Sequence, residues 1–414
     1  MKNKGQRSYV RKATSLTHLL SRAPTSLLHH LTVELTERCN NNCIHCYINR
    51  PADDSDALER ELDTATIKEL LEEAAALGCL SVRLTGGEPL LRDDFEAIYL
   101  KARKLGMKVT IGTNATQVTP RIAHLLSRVP PLGTVEVSVY GMTEAVYDRV
   151  SRTPGAFEAA WRGIKRLLDE GIAFQPRCYL PLDDEAGRKE LTGWVASLPH
   201  PAEVPPTCWP LYLRGRRDSE QKNATIRKLR PSPSQCVDGF MSHSMCFESE
   251  SRELISRHRG VASPRLFICG AGKGSACLDP YGNAQPCLLL RHPATARAVV
   301  SGDNSLKTVM QESFPALRTI EAGNPQYLQR CARCFLRGFC EQCPAQSWME
   351  HGTLDTPVEY FCDVAHEAAM RLGLLNPGEK AWKVEGGRNR IPALAEKKDA
   401  YGTHPRISTA TAET

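Results

Sequence analysis

The segment LTVELTERCNNNCIHCY, Leu31 to Tyr47, decides how the rest of the chain is read. It opens with LTVEL at 31–35, a run of strand length and β-branched content, and leads into Cys39, Cys43 and Cys46. A structural zinc site wants four protein ligands. No fourth cysteine or well-spaced histidine completes this one, since His45 lies inside the loop beside Cys46. A Cys-x-x-Cys redox pair would use Cys43 and Cys46 and leave Cys39 idle. A cubane iron–sulfur cluster usually takes four thiolates, so three leave one iron free to bind something else. Spacings of three and two residues let a tight loop point all three sulfurs at one cluster.

Outward from this segment one unit recurs. The runs LSVRLT at 80–85, KVTIGT at 108–113, VEVSVY at 135–140 and AFQPRCYL at 173–180 have strand character. Amphipathic stretches such as ATIKELLEEAAALG and FEAAWRGIKRLLDEG lie between them, each closing on a glycine suited to a helix C-terminus. Strands alternating with helices imply an α/β fold with a parallel sheet. Five units and a sixth strand expected near PTCWPLYL, 206–213, predict a partial (β/α)6 TIM-type barrel. Chemistry in such folds sits beyond the C-terminal ends of the strands, where the first cysteines fall.

CNNNCIHCY resembles the Cys-x3-Cys-x2-Cys signature of radical S-adenosylmethionine (SAM) enzymes. The resemblance implies a [4Fe-4S] cluster on Cys39, Cys43 and Cys46 whose open iron is chelated by SAM. An electron from the cluster then splits SAM into methionine and a 5′-deoxyadenosyl radical, which abstracts a hydrogen atom from the substrate. TGGEP at 85–89, one strand later, resembles the family segment that lines the methionine amino group, which implicates Gly86, Gly87, Glu88 and Pro89. Paired glycines allow close backbone approach, and Glu88 offers a partner for an ammonium. By the same resemblance Thr113 and Asn114, and Ser138 and Tyr140, approach the ribose and adenine; taken alone, each serves equally well as a strand-end cap. Arg177 and Tyr140 are candidate substrate contacts, and no general base is assigned.

The chain has 16 cysteines, and eight of them fall between Cys269 and Cys362. Structural disulfides are rare in reducing compartments, so clustering of this kind reads as metal ligation. The pattern is Cys269-x12-Gly282-x4-Cys287, then Cys331-x2-Cys334-x5-Cys340-x2-Cys343, then Cys362. It resembles the SPASM domain of peptide-modifying radical SAM enzymes, with two residues before Cys343 where the family more often has three. The resemblance implies one auxiliary cluster on Cys331, Cys334, Cys340 and Cys362. It implies another on Cys269, Cys287 and Cys343, with Cys277 as fourth ligand or the site left open. Two interleaved four-cysteine zinc sites are the alternative on spacing alone. Cys79 and Cys178 read as buried small hydrophobes, and Cys208, Cys236 and Cys246 as core or surface thiols.

The expected organisation is a basic N-terminal arm (1–28), a radical SAM barrel (29–215), a polar, basic connecting segment (216–262), a small Cys-rich iron–sulfur SPASM domain (263–372) and a C-terminal tail (373–414). A net charge of +6 without a dense basic block does not call for nucleic acid. No run approaches the length of a membrane span, and no signal peptide is recognised, so a cytoplasmic location is expected. The leading expectation is an enzyme that oxidatively modifies or crosslinks a ribosomal peptide. It would be served by an electron donor such as flavodoxin or ferredoxin. The arm is short for a peptide-recognition domain, so a separate leader-recognition protein is expected. The alternatives are a sulfatase-type side-chain maturase, an enzyme of haem or quinone-cofactor biosynthesis, and a metal-stabilised scaffold without turnover.

Overall fold

A computed structural model describes residues 28–179, 184–204, 210–243, 251, 262–300 and 304–391. The arm before Leu28, Cys208, Cys246 and the tail beyond Ile391 lie outside the described residues. Five strands alternate with helices as the periodicity implies: β1 (His30–Glu34), β2 (Ser81–Thr85), β3 (Lys108–Thr113), β4 (Leu132–Val139) and β5 (Phe174–Cys178). They lie side by side in that order, all parallel. The crossovers are α1 (Ser55–Arg60) and α2 (Thr64–Ala76), then α3 (Phe95–Lys104), then α4 (Pro120–Arg128), and last α5 (Glu144–Ser151) with α6 (Ala156–Asp169).

Helix α2 shows the local causes. The Asp63 side chain accepts from the Thr66 amide at its start, and Ile67, Leu70, Leu71 and Ala74 form one buried face. Gly78 follows it at φ +86°, a left-handed conformation that halts the helix. Along the strands, side chains alternate between two faces. Leu31, Val33, Val82, Leu84, Val109, Ile111, Val135 and Val137 share the core with the helices. The intervening Glu34, Arg83, Gly112, Glu136 and Ser138 line a cavity on the concave side.

The sixth strand expected near 206–213 falls partly outside the described residues, and the described part, 210–213, carries no strand. Pro210 has no amide to give a ladder, while Leu211 and Leu213 are buried in the core without one. Instead, β6 (Ser275–Leu278) runs parallel to β1, pairing Leu31 with Ala276, Thr32 with Cys277 and Val33 with Leu278. It turns back antiparallel into β7 (Asn283–Gln285), and β8 (Arg297–Ala298) completes an eight-stranded sheet ordered β8-β7-β6-β1-β2-β3-β4-β5. The cysteine-rich segment thus contributes strands to the barrel sheet. Register explains it: Ala276 and Leu278 fall on the same face as Leu31 and Val33, and all four are buried.

Beyond β5 come α7 (Glu185–Ala196), α8 (Glu220–Leu229) and α9 (Pro233–His243), and later α10 (Pro344–His351) and α11 (Glu359–Arg371), which packs on α9. Among the described residues no helix is long and apolar enough to cross a membrane.

The β6–β7 turn is tied by Asp279, which is buried and accepts from the amides of Tyr281 (3.0 Å) and Asn283 (2.9 Å) and from Asn283 Nδ2 (2.9 Å). Asp279→Ala strands these donors, at about 1–3 kcal/mol for an orphaned buried group. The thermal midpoint is expected to fall by several degrees; an unchanged midpoint would show that the turn holds without this carboxylate.

Candidate active site

The cysteine loop begins where Arg38–Cys39 forms a short parallel bridge with Arg50–Pro51. It is pinned from α5: the Asn42 amide donates to Ser151 O (2.9 Å) and the Ile44 amide to Val150 O (2.9 Å). The loop's own amides reach its sulfurs, Asn41 N to Cys39 Sγ and Asn49 N to Cys46 Sγ, both at 3.4 Å. Burial pushes the Cys39 thiol well up and the Cys43 thiol to about 12. Such thiols stay protonated unless a metal supplies the compensating charge.

Gly86 and Gly87 lie against the chain that enters this loop. The Gly87 amide donates to Thr36 O (2.7 Å) and the Glu88 amide to Arg38 O (2.9 Å). A Cβ on Gly86 would sit 2.2 Å from Thr36 O, and one on Gly87 2.2 Å from Arg38 O. The glycines therefore serve close packing of backbone on backbone, beneath Cys39.

Glu88 has a different place from the one expected. It is fully buried, and its Oε1 accepts from Thr113 Oγ1 (2.8 Å) and the Leu90 amide (3.1 Å), its Oε2 from the Asn114 amide (2.7 Å). It braces the end of β3, and burial raises its carboxyl to about 7. Pro89, also buried, starts a 3-10 turn, Pro89–Leu91. Neither Glu88 nor Pro89 lines the cavity, which Gly86, Gly87, Thr113, Asn114, Ser138, Tyr140 and Arg177 do line, together with Cys39, Cys43 and Cys46. The cavity measures about 900 Å³, solvent at its mouth included.

Several cavity residues were missed by the sequence reading. At one end His45 stacks on Tyr179 (4.3 Å) with Tyr140 edge-on (5.4 Å). Burial lowers the His45 imidazole to about 3, so it is neutral, and its Nδ1 is buried without a partner. Both polar atoms of the buried Asn41 side chain are likewise unpartnered. Across the lumen Glu136 pairs with Arg83 and with Arg177 (2.6 Å).

The segment RGRRD at 214–218, read as the start of a polar, basic connecting stretch, packs behind the loop. Buried Arg214 donates to Asn49 O (3.1 Å) and pairs with Asp218 (2.6 Å), Gly215 N donates to Tyr47 O (3.1 Å), and Arg216 pairs with Glu37 (2.8 Å). Arg291 clamps Glu34 at 2.5 Å and Glu37 at 3.0 Å. Three arginines closed by an aspartate, with a lone glycine, were the only local signal for the 214–218 segment.

In the C-terminal field Cys331, Cys334, Cys340 and Cys362 line one cavity of about 510 Å³, with Arg330, His366 and Trp382. Arg330 Nη2 points at Cys362 Sγ (3.8 Å). Burial raises the Cys343 thiol to about 12, and Cys287 and then Cys269 add to the effect, which places the three near one another. Buried Cys277 is influenced by Cys287 and, more strongly, by Glu34. Among the described residues no three His, Cys, Asp or Glu side chains converge as for a single metal ion. At the first site, three thiols round one cavity, those of Cys39 and Cys43 raised by burial, two amide-to-sulfur bonds and the orphaned polar atoms of Asn41 and His45 fit a bound cluster with a second ligand beside it.

Residues 33–182 match the Radical SAM superfamily, and this part of the chain is a radical SAM domain. The chain is 38% identical over 138 residues to the Fe-coproporphyrin III synthase of Methanosarcina barkeri, covering 33% of each; it thus spans about a third of that relative's length. It is 26% identical over 344 residues to the mycofactocin maturase MftC of Mycobacterium tuberculosis, covering 79% of this chain and 81% of the relative. In fold it is similar to Streptococcus suis SuiB bound to the precursor peptide SuiA, with a TM-score of 0.58 at 15% identity over 86% of this chain and 82% of that one.

Two outcomes test the site. Gly87→Ala forces the 36–38 backbone away and is expected to cut iron on the first site by more than half in reconstituted protein; full iron would show the close approach to be dispensable. The raised Glu88 carboxyl stabilises the fold fully below its ordinary 4.5, and this contribution is lost as pH rises through about 7. Glu88→Gln should therefore flatten the fall in thermal midpoint between those values, leaving the part due to Glu34, raised to about 7 by burial against Arg291. A slope as steep as the parent's would place the titration elsewhere.

Proposed function

We propose that this chain is a radical SAM enzyme that reductively cleaves SAM and oxidatively modifies or crosslinks a ribosomal peptide. The observation that carries the reading is the convergence of Cys39, Cys43 and Cys46 with Gly86, Gly87, Asn114 and Ser138 on one cavity at the C-terminal strand ends. Cys39, Cys43 and Cys46 would hold a [4Fe-4S] cluster that would supply the electron for breaking the sulfonium of SAM bound beside it. The chain's own residues position and exclude. The glycines fix the loop beneath Cys39. Asn114 Nδ2 bonds Asn40 Oδ1 (3.0 Å) and approaches Cys39 Sγ (3.7 Å), holding the loop against β3. His45, Tyr140 and Tyr179 give one end an uncharged aromatic wall, while Arg83, Glu136 and Arg177 give the lumen a charged one.

The peptide substrate is favoured over a haem-type substrate by extent. The likeness to the synthase is confined to a third of the chain, whereas that to the maturase runs over four-fifths of it and past the barrel strands. In the same reading Cys331, Cys334, Cys340 and Cys362 hold one auxiliary cluster of a SPASM-type domain. Cys269, Cys287 and Cys343 hold the other, with Cys277 as its nearest further thiol. These clusters would accept the electron a product radical must lose.

Anaerobically reconstituted protein with dithionite and SAM is expected to release 5′-deoxyadenosine, and Cys43→Ala to abolish this while keeping the iron of the C-terminal field. Release at the parent rate from the variant, or stoichiometric zinc in place of iron, would overturn the reading. Mass spectrometry of a co-expressed precursor peptide then identifies the modification.

A further inference from the structure

If the first site works as proposed, an electron must reach it from outside, and the cavity side is taken by SAM. The loop's other side reaches the surface at Asn42, which is exposed and directly precedes buried Cys43. Two cations converge there from different elements. Arg152, exposed at the end of α5, donates through Nε to Asn42 O (3.3 Å). Lys222 of α8 donates through Nζ to Asn42 Oδ1 (3.4 Å) and Asn49 Oδ1 (2.7 Å). Burial lowers the Lys222 ammonium below its ordinary value, with Arg214 and then Arg152 adding to the effect, and among the described residues neither Arg152 nor Lys222 is paired with a carboxylate. The acids nearby are occupied: Asp148 accepts from the Gly155 and Phe157 amides, Asp218 binds Arg214 and Arg216, and Glu220 binds Arg227.

We propose that Asn42, Arg152 and Lys222 form the docking surface for an acidic one-electron carrier protein, and that the electron enters the first site across this side of the loop. The proposal rests on the radical SAM reading above. Like charges held together at a surface without counter-ions raise the local potential and attract an acidic partner, an effect that salt screens. The transfer is one electron from the reduced carrier, which is left oxidised, into the cluster held by Cys39, Cys43 and Cys46; no bond or proton is exchanged at the surface.

The test compares donors on reconstituted full-length protein, using reduced flavodoxin and, separately, dithionite, with 5′-deoxyadenosine as readout. Arg152→Glu is suited to it because the left-handed backbone at this residue (φ +52°) is as unfavourable for Arg as for Glu. The flavodoxin concentration for half-maximal rate is expected to rise at least fivefold. The ratio of flavodoxin-driven to dithionite-driven rate should fall by a similar factor, and the salt dependence of the flavodoxin rate should weaken. Arg152→Gln should give an intermediate value, which loss of the Asn42 hydrogen bond alone would not produce. A ratio and salt dependence equal to the parent's in Arg152→Glu would overturn the docking surface while leaving the enzyme reading intact. No cleavage by the parent with dithionite would overturn both.

Discussion

Glu34 and Glu37, at the exit of β1, are buried, and a buried charge has to be answered by another charge or by hydrogen bonds. Arg291 answers both, and Arg216 and the Tyr281 hydroxyl (2.9 Å) complete the shell of Glu37. Each partner comes from a different stretch: Arg216 from the connector, Tyr281 from the β6–β7 turn, Arg291 from just past Cys287. They meet on the residues that feed the chain into the cysteine loop. Removing Arg291 would leave Glu34 without its cation, a loss of about 3–5 kcal/mol for a broken buried pair, while Glu37 would keep Arg216, Arg50 and the Tyr281 hydroxyl. The loop is therefore not self-standing; its path is set by the glycines on one side and by these arginines on another.

That arrangement explains what the sequence could and could not disclose. The five parallel strands were legible because alternation and β-branching are local properties, and the three cysteines were legible because their spacing is. The paired glycines were read as a place where backbone comes close to a ligand; the neighbour the structure gives them is the backbone of Thr36 and Arg38. Glu88 looked like a ligand for an ammonium because nothing local reveals that Thr113 and Asn114 consume its oxygens. RGRRD read only as part of a polar, basic connecting stretch because arginines are mostly exposed. The carbonyl of Asn49 and the carboxylate of Glu37 that Arg214 and Arg216 reach lie far upstream in the chain, beyond any windowed pattern. The pairing of Ser275–Leu278 was hidden likewise: β6 is short, and its place beside β1 follows from register with Leu31 and Val33.

The cavity's two ends differ in a way that suits the proposed ligand. Around His45, Tyr140 and Tyr179 burial keeps the imidazole neutral and the Tyr140 hydroxyl protonated, so that end presents flat, uncharged surface. Toward the lumen, Arg83 and Arg177 share a single carboxylate, Glu136, whose pKa they hold below its ordinary value against the opposing effect of burial. A molecule that is aromatic at one end and charged at the other is oriented by such a gradient without any one residue deciding its pose.

The two cysteine fields are joined through packing to different degrees. Cys287 is four residues from Arg291, and Cys277 pairs in register with Thr32 of β1 and feels Glu34. A change at either reaches the ion pairs that shape the first site, so its consequences mix geometry with redox chemistry. Cys334 is otherwise situated: the cavity it shares with Cys331, Cys340 and Cys362 has no lining residue in common with the cavity at the strand ends. A substitution there leaves the Glu34–Arg291 clamp in place. If Cys334 holds a cluster as proposed and the surrounding fold is kept, the effect on the first site would travel by electrons, whereas at Cys287 a displacement of Arg291 would act regardless of what that cysteine carries.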